Sequence, residues 1–245
     1  MTPLLSLHDV SKTYVRGKYH FNVLESVSLD VHAGAFVAVF GERSSGKTTL
    51  LKIAAGLERP DSGSVTFDGR DLSAVSSRDL AAIHRTEIAW VDRAGPSSDE
   101  LTMVDYIGLP LLKSHGHTVA TRLAILMLSR VGAKECTSAR WGDLSDAERA
   151  RITIAHALIR EPRLLVLDDP TAGLDMIERD RVLGLLRATA DEMRSGVLMA
   201  VPDVPAMMRS DDVLSLSGGR LLGPADHDTG EHAVVLEFPR RQQSG

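Results

Sequence analysis

Gly41-Glu42-Arg43-Ser44-Ser45-Gly46-Lys47-Thr48 sets two glycines, a lysine and a hydroxyl at fixed spacing. The pattern is G-x-x-x-x-G-K-[ST], and its chemistry is the holding of polyphosphate. Such a ligand needs donors from several directions, which a loop wrapped around it supplies as backbone N–H groups. In this reading the loop residues Glu42, Arg43, Ser44, Ser45 and Thr49 help form the cradle. Gly41 and Gly46 permit backbone angles and close approach that a Cβ would hinder. Lys47 reaches the outer phosphates, and the Thr48 hydroxyl ligates a divalent cation.

The loop must be held by a strand before it and a helix after it. Phe36 to Phe40 reads as a buried strand and Thr48 to Leu57 as a helix with an apolar inner face. That helix points its positive N-terminal end at the phosphates. Strand, loop, Lys and Thr together weigh against a plain glycine turn.

The rest of the chain alternates in the same way. Leu5 to Val10 and Val27 to Val31 read as short strands, with a turn at Gly17-Lys18 and Tyr14 in the connection between them. Ser64 to Phe67, Glu87 to Val91, Leu164 to Leu167, Gly196 to Val201, Val213 to Leu216 and Arg220 to Leu222 are further strands. His232 to Phe238 reads as an edge strand. Helices are expected over Ser77 to Arg85, Met176 to Ser195 and Pro205 to Ser210. Thr118 is expected to cap a helix carrying Ala120, Leu123, Leu126 and Met127 on one side. Ser145-Asp146-Ala147-Glu148 is a capping box. The two histidines of Lys113 to His117 lie on a polar loop without further ligands, and read as solvated. The sum is a mainly parallel α/β core with helices on both faces and a helical insertion.

Composition narrows the function. A net charge of −5 argues against nucleic acid as the main partner. Cys136 is the only cysteine, so no intramolecular disulfide exists, and a reducing cytosol is the expected setting. No apolar run approaches the roughly 18 residues of a membrane span, and the N-terminus lacks the pattern of a secretory signal. A membrane role is therefore expected only through a partner.

With a second motif in view, the chain resembles the ATP-binding subunits of ABC transporters over nearly its whole length. Leu164-Leu165-Val166-Leu167-Asp168 is similar to a Walker B strand, and Asp169 to Asp175 to the segment after it, D-loop included. Leu144-Ser145-Asp146-Ala147-Glu148 sits where the family carries LSGGQ. The resemblance implies one domain over 1–245, with a P-loop core and antiparallel β subdomain from 1–93 and 161–245, and a helical subdomain at 94–160. It implies ATP as ligand, with Tyr14 stacking on adenine and Ser145 meeting the nucleotide of the other protomer. It implies Mg²⁺ held by Thr48 and Asp168, and Lys47 and Asp169 as the catalytic pair. It implies a second ATPase protomer, a membrane permease, and a place on the cytoplasmic face of the membrane. Leu101 to Tyr106 and Leu109 to Leu112 resemble the lipoprotein-releasing and macrolide-export branch.

Four positions depart from the family pattern. Arg93 stands for the Q-loop glutamine and Asp169 for the glutamate that polarises water. Pro202 stands for the switch histidine, and Asp146-Ala147 for the signature glycines. All four lie at γ-phosphate or water positions, while the nucleotide- and metal-holding residues are retained. The expectation is retained binding and weakened turnover. A nucleotide-gated scaffold with little hydrolysis is the alternative.

Overall fold

The computed structural model describes residues 2–201 and 209–222. Pro202, most of the expected helix at Pro205–Ser210, and the expected edge strand at His232–Phe238 lie outside the described residues.

In chain order the elements are β1 (Leu5–Arg16), β2 (Tyr19–Val31), β3 (Phe36–Phe40), α1 (Lys47–Ala54), β4 (Ser62–Phe67), β5 (Arg70–Asp71), α2 (Ser77–Thr86) and β6 (Ile88–Val91). There follow α3 (Met103–Gly108), α4 (Leu112–His115), α5 (His117–Arg130) and α6 (Asp146–Leu158). The chain continues with β7 (Leu164–Asp168), α7 (Met176–Met193), β8 (Gly196–Val201), β9 (Asp212–Ser217) and β10 (Arg220–Leu222).

Six strands form one sheet in the order β10-β9-β3-β8-β7-β6, parallel except for the β9–β10 hairpin. Its central strands β3, β8 and β7 are apolar up to Asp168 at the end of β7, because both faces are covered. Val37, Val39, Leu164, Val166, Leu198 and Ala200 point into one hydrophobic cluster, shared with α1 and the first strands. Their neighbours Phe36, Ala38, Leu165, Leu167, Val197 and Met199 point into the other, beneath α6 and α7. The four antiparallel strands β2-β1-β4-β5 form a second sheet. A third cluster, built on Met103, Ile107, Leu128 and Ile152, joins α3, α5 and α6.

Several expectations are corrected. The first two strands are much longer than the apolar stretches suggested, pairing from Leu5↔Val31 out to Arg16↔Tyr19. Tyr14 therefore lies within β1, opposite Phe21, and not in a connection. Polar residues extend these strands because only their inner ends are buried. α1 stops at Ala54, three residues early: Gly56 takes φ 71° and the Leu57 N–H returns to the Lys52 carbonyl, closing the helix end. Thr118 caps nothing, since α5 begins at His117 behind Gly116, with no side-chain cap. The buried stripe of α5 is Ala120, Ala124 and Leu128, an i, i+4 row, and Leu126 is 59% exposed. Cys136 is buried and donates its thiol to Glu148 Oε1 at 3.4 Å, and burial raises its pKa to about 11.

Candidate nucleotide site

β3 delivers Gly41 and α1 receives Lys47, so the loop between them is pinned at both ends. The two glycines have no room for a side chain. A Cβ on Gly41 would come within 2.5 Å of the Leu216 carbonyl oxygen and 2.6 Å of Ser45 Oγ. On Gly46, whose φ is 103°, it would meet the Val23 carbonyl oxygen at 2.7 Å. Ser44 is left-handed too, at φ 64°, although it is not glycine. Glu42, Arg43 and Ser44 are exposed at the mouth, and Ser45 Oγ is buried without a partner. A buried hydroxyl lacking a partner costs free energy, and a bound polar ligand would recover it.

Lys47 Nζ donates to the carbonyls of Gly41 at 2.6 Å and Glu42 at 2.8 Å, inside the curve of the loop. Burial lowers its pKa, opposed by the carboxylates of Asp169 and Asp168. Thr48 Oγ1 donates to Asp168 Oδ2 at 2.8 Å, joining the first turn of α1 to the end of β7. These two oxygens suit a hard divalent cation. Thr49, one residue on, lies 3.4 Å from the Tyr14 hydroxyl.

Tyr14 is 40% exposed at the rim. Its hydroxyl donates to Glu58 Oε1 at 2.6 Å. Desolvation, then that bond, holds the phenol above its ordinary pKa. Lys12 Nζ lies 3.5 Å from the same carboxylate oxygen and 5.7 Å from the centre of the Tyr14 ring. Sequence pattern missed Lys12 and Glu58. Each is a single charged residue in a polar stretch, and only the approach of β1 to the turn after α1 makes them neighbours.

Asp169 follows Asp168 with φ 50°. Its Oδ1 is buried without a partner. Burial raises its pKa, the Asp168 charge adds to that, and Arg93, Lys47 and Arg179 oppose it. Arg93 itself is exposed just beyond β6. Its loop and the start of α6 line a small cavity of about 100 Å³ with Asp92, Trp141, Asp146, Arg149 and Pro170. The Asp146 carboxylate lies 3.6 Å from Arg149 one turn along.

Ser145 is where the capping box was expected. Its Oγ accepts from the Glu148 N–H at 3.3 Å, and Glu148 Oε2 accepts from the Ser145 N–H at 2.7 Å. The structure thus brings Gly41 to Thr49, Asp168, Asp169 and Tyr14 around one loop. Ser145 spends its bonds within its own helix start. His115 bonds Ser114, and the described residues hold no histidine cluster suited to a metal.

Comparison with known proteins gives the same architecture a wider context. Residues 24–172 match the ABC transporter family. The chain is 34% identical over 233 residues to the macrolide export ATP-binding/permease protein MacB 1/2 of Paracoccus denitrificans, covering 95% of this chain but 34% of that protein. It is 33% identical over 222 residues to the lipoprotein-releasing system ATP-binding protein LolD of Pseudomonas syringae pv. tomato, covering 89% of this chain and 97% of that one. Among solved structures, the dimeric post-hydrolysis state of the ATP-binding cassette MJ0796 bound to ADP and Pi aligns with a TM-score of 0.82 at 25% identity. That alignment covers 89% of this chain and 96% of the other. The chain belongs to the ABC transporter family.

Proposed function

We propose that the protein is the ATP-binding subunit of an ABC transporter, dimerising with a second such protomer and driving a membrane permease. The observation that carries the reading is the joined pair Thr48–Asp168 beside a loop whose Ser45 hydroxyl is buried without a partner. The loop amides and Lys47 would take the phosphates, and Lys47 would exchange its two loop carbonyls for phosphate oxygens. Thr48 and Asp168 would hold Mg²⁺, which supplies charge neutralisation at the phosphates when bound. Asp169 would orient the attacking water, although burial disfavours its ionised form and the Arg93 charge opposes this only in part. Ser145 would meet the nucleotide of the opposite protomer.

Residues 1–245 are read as one ATP-binding domain with 94–160 as its helical part, a division supported by the separate hydrophobic cluster there. No helix among the described residues is long and apolar enough to cross a membrane. The reading places the protein on the cytoplasmic face, held by its permease. Nucleic acid has no role in it. Relatives named as parts of a releasing system and an export permease favour transport over a free-standing scaffold.

Turnover is expected to be slow. Asp169 is one methylene shorter than glutamate, and a misplacement of about 1 Å costs roughly a hundredfold in rate. The test is MgATP binding and phosphate release with the permease present, beside Lys47→Ala. Binding at micromolar ATP and slow release, both lost in the variant, are expected. ATP affinity unchanged by Lys47→Ala would overturn the assignment of this loop.

A further inference from the structure

Tyr14 is held more firmly than a rim aromatic needs to be. Its hydroxyl gives a 2.6 Å bond to Glu58, a side chain only 23% exposed. Glu58 hangs from the closing turn of α1, with its N–H on the Lys52 carbonyl. Lys12, whose side chain is 15% exposed, closes the arrangement. Its ammonium touches the Glu58 carboxylate, donates to the Arg59 carbonyl at 2.8 Å and to Asp61 Oδ1 at 3.2 Å, and lies over the Tyr14 ring. Asp61 in turn accepts the Thr13 N–H at 2.7 Å, tying the cluster back to β1.

Two consequences follow from the chemistry. A phenol bonded to a half-buried carboxylate has its ring placed before any ligand arrives, which lowers the ordering cost of stacking a base on it. An ammonium over one face of a ring occupies that face electrostatically and leaves the other for a planar ligand. Lys12 hangs from β1, as Tyr14 does, and Glu58 from the turn after the helix that follows the phosphate loop, so together they fix the ring relative to the cradle.

We propose that Lys12 and Glu58 are positioning residues that hold Tyr14 as a one-faced platform for the nucleotide base. This rests on the reading of Tyr14 as the base-stacking residue. The distinguishing quantity is base-derived affinity, taken as the ratio of the Kd for inorganic tripolyphosphate to that for ATP, both with Mg²⁺. Stacking of a base on an aromatic ring is worth roughly 5- to 100-fold in affinity. Tyr14→Ala is expected to lower the ratio by about tenfold. Glu58→Ala and Lys12→Met are expected to lower it by about three- to fivefold with tripolyphosphate binding unchanged. Glu58→Gln, which still accepts the hydroxyl, is expected to recover most of the loss. Tyr14→Phe should lower the ratio as Glu58→Ala does, and adding Glu58→Ala to it should cost less than Glu58→Ala costs alone.

A ratio unchanged by Tyr14→Ala would remove the platform reading and this proposal with it. A ratio lowered by Tyr14→Ala but not by Glu58→Ala or Lys12→Met would keep the platform and overturn the positioning role. Equal weakening of ATP and tripolyphosphate in those two variants would mark a purely structural cluster and also overturn it.

Discussion

Ser44 and Asp169 both hold a left-handed backbone without being glycine, at φ 64° and 50°. They stand on the two sides of the site: one in the cradle, one on the carboxylate side. Ser44 is exposed. Asp169 precedes the buried Pro170 and Thr171, has one carboxylate oxygen buried without a partner, and sits beside a second acid. Left-handed geometry costs a β-carbon-bearing residue roughly 1–2 kcal/mol, less for Asp and Asn. It persists where the surroundings dictate it. In the cradle the surroundings are the loop's own turn from β3 into α1. On the carboxylate side they are packing, and the charge is constrained along with the backbone.

The largest expected effect tests whether that constrained side limits turnover. Asp169→Glu with Arg93→Gln should raise permease-stimulated phosphate release at least tenfold, toward the roughly hundredfold that a misplaced methylene costs. ATP affinity should stay within about threefold, because no cradle group changes. An unchanged rate in single-turnover assays would break the comparison, since the carboxylate side would then be as competent as the cradle.

A smaller effect sharpens it in stability. Burial, with the Asp168 charge, raises the folded pKa of Asp169 above its unfolded value. The ionised form is thus disfavoured in the native state. Stability is lost as pH rises from the ordinary carboxylate value through the raised one. Asp169→Asn should stabilise the nucleotide-free protein more at pH 7.5 than near pH 4. Urea unfolding at the two pH values measures this, and equal gains at both would refute the ionisation argument.

The smallest effect belongs to the cradle. Ser44→Gly relieves the left-handed strain but loosens the unfolded chain, for a net gain of about 0.5 kcal/mol independent of pH. Thermal unfolding should rise by a degree or two, and a fall would mean that the Ser44 side chain supports the loop.

Legibility in the sequence differed by region for physical reasons. The strands buried on both faces could be read almost to the residue, because Leu164 to Leu167 and Gly196 to Val201 carry no polar interruption. The phosphate loop was legible because its glycines answer to steric demands within eight residues. β1 and β2 were underestimated because exposed β-ribbon tolerates polar residues such as Lys12 and Asn22. Thr118 misled because the break before α5 is made by Gly116 and not by a side chain. Lys12 and Glu58 could not be found at all, since their meeting depends on tertiary approach across 46 positions of chain.

Cys136 carries a practical consequence. Its thiol is 3% exposed, hydrogen-bonded to Glu148, and raised to a pKa of about 11. Maleimides and haloacetamides react through the thiolate, so the native protein is chemically silent to them while folded. A single cysteine placed on the exposed rim, at Ser44 or beside Tyr14, can then carry a fluorophore or spin label with the wild-type background intact. The arrangement supplies a built-in unfolding reporter as well, because labelling of Cys136 itself begins only when the α6 region opens.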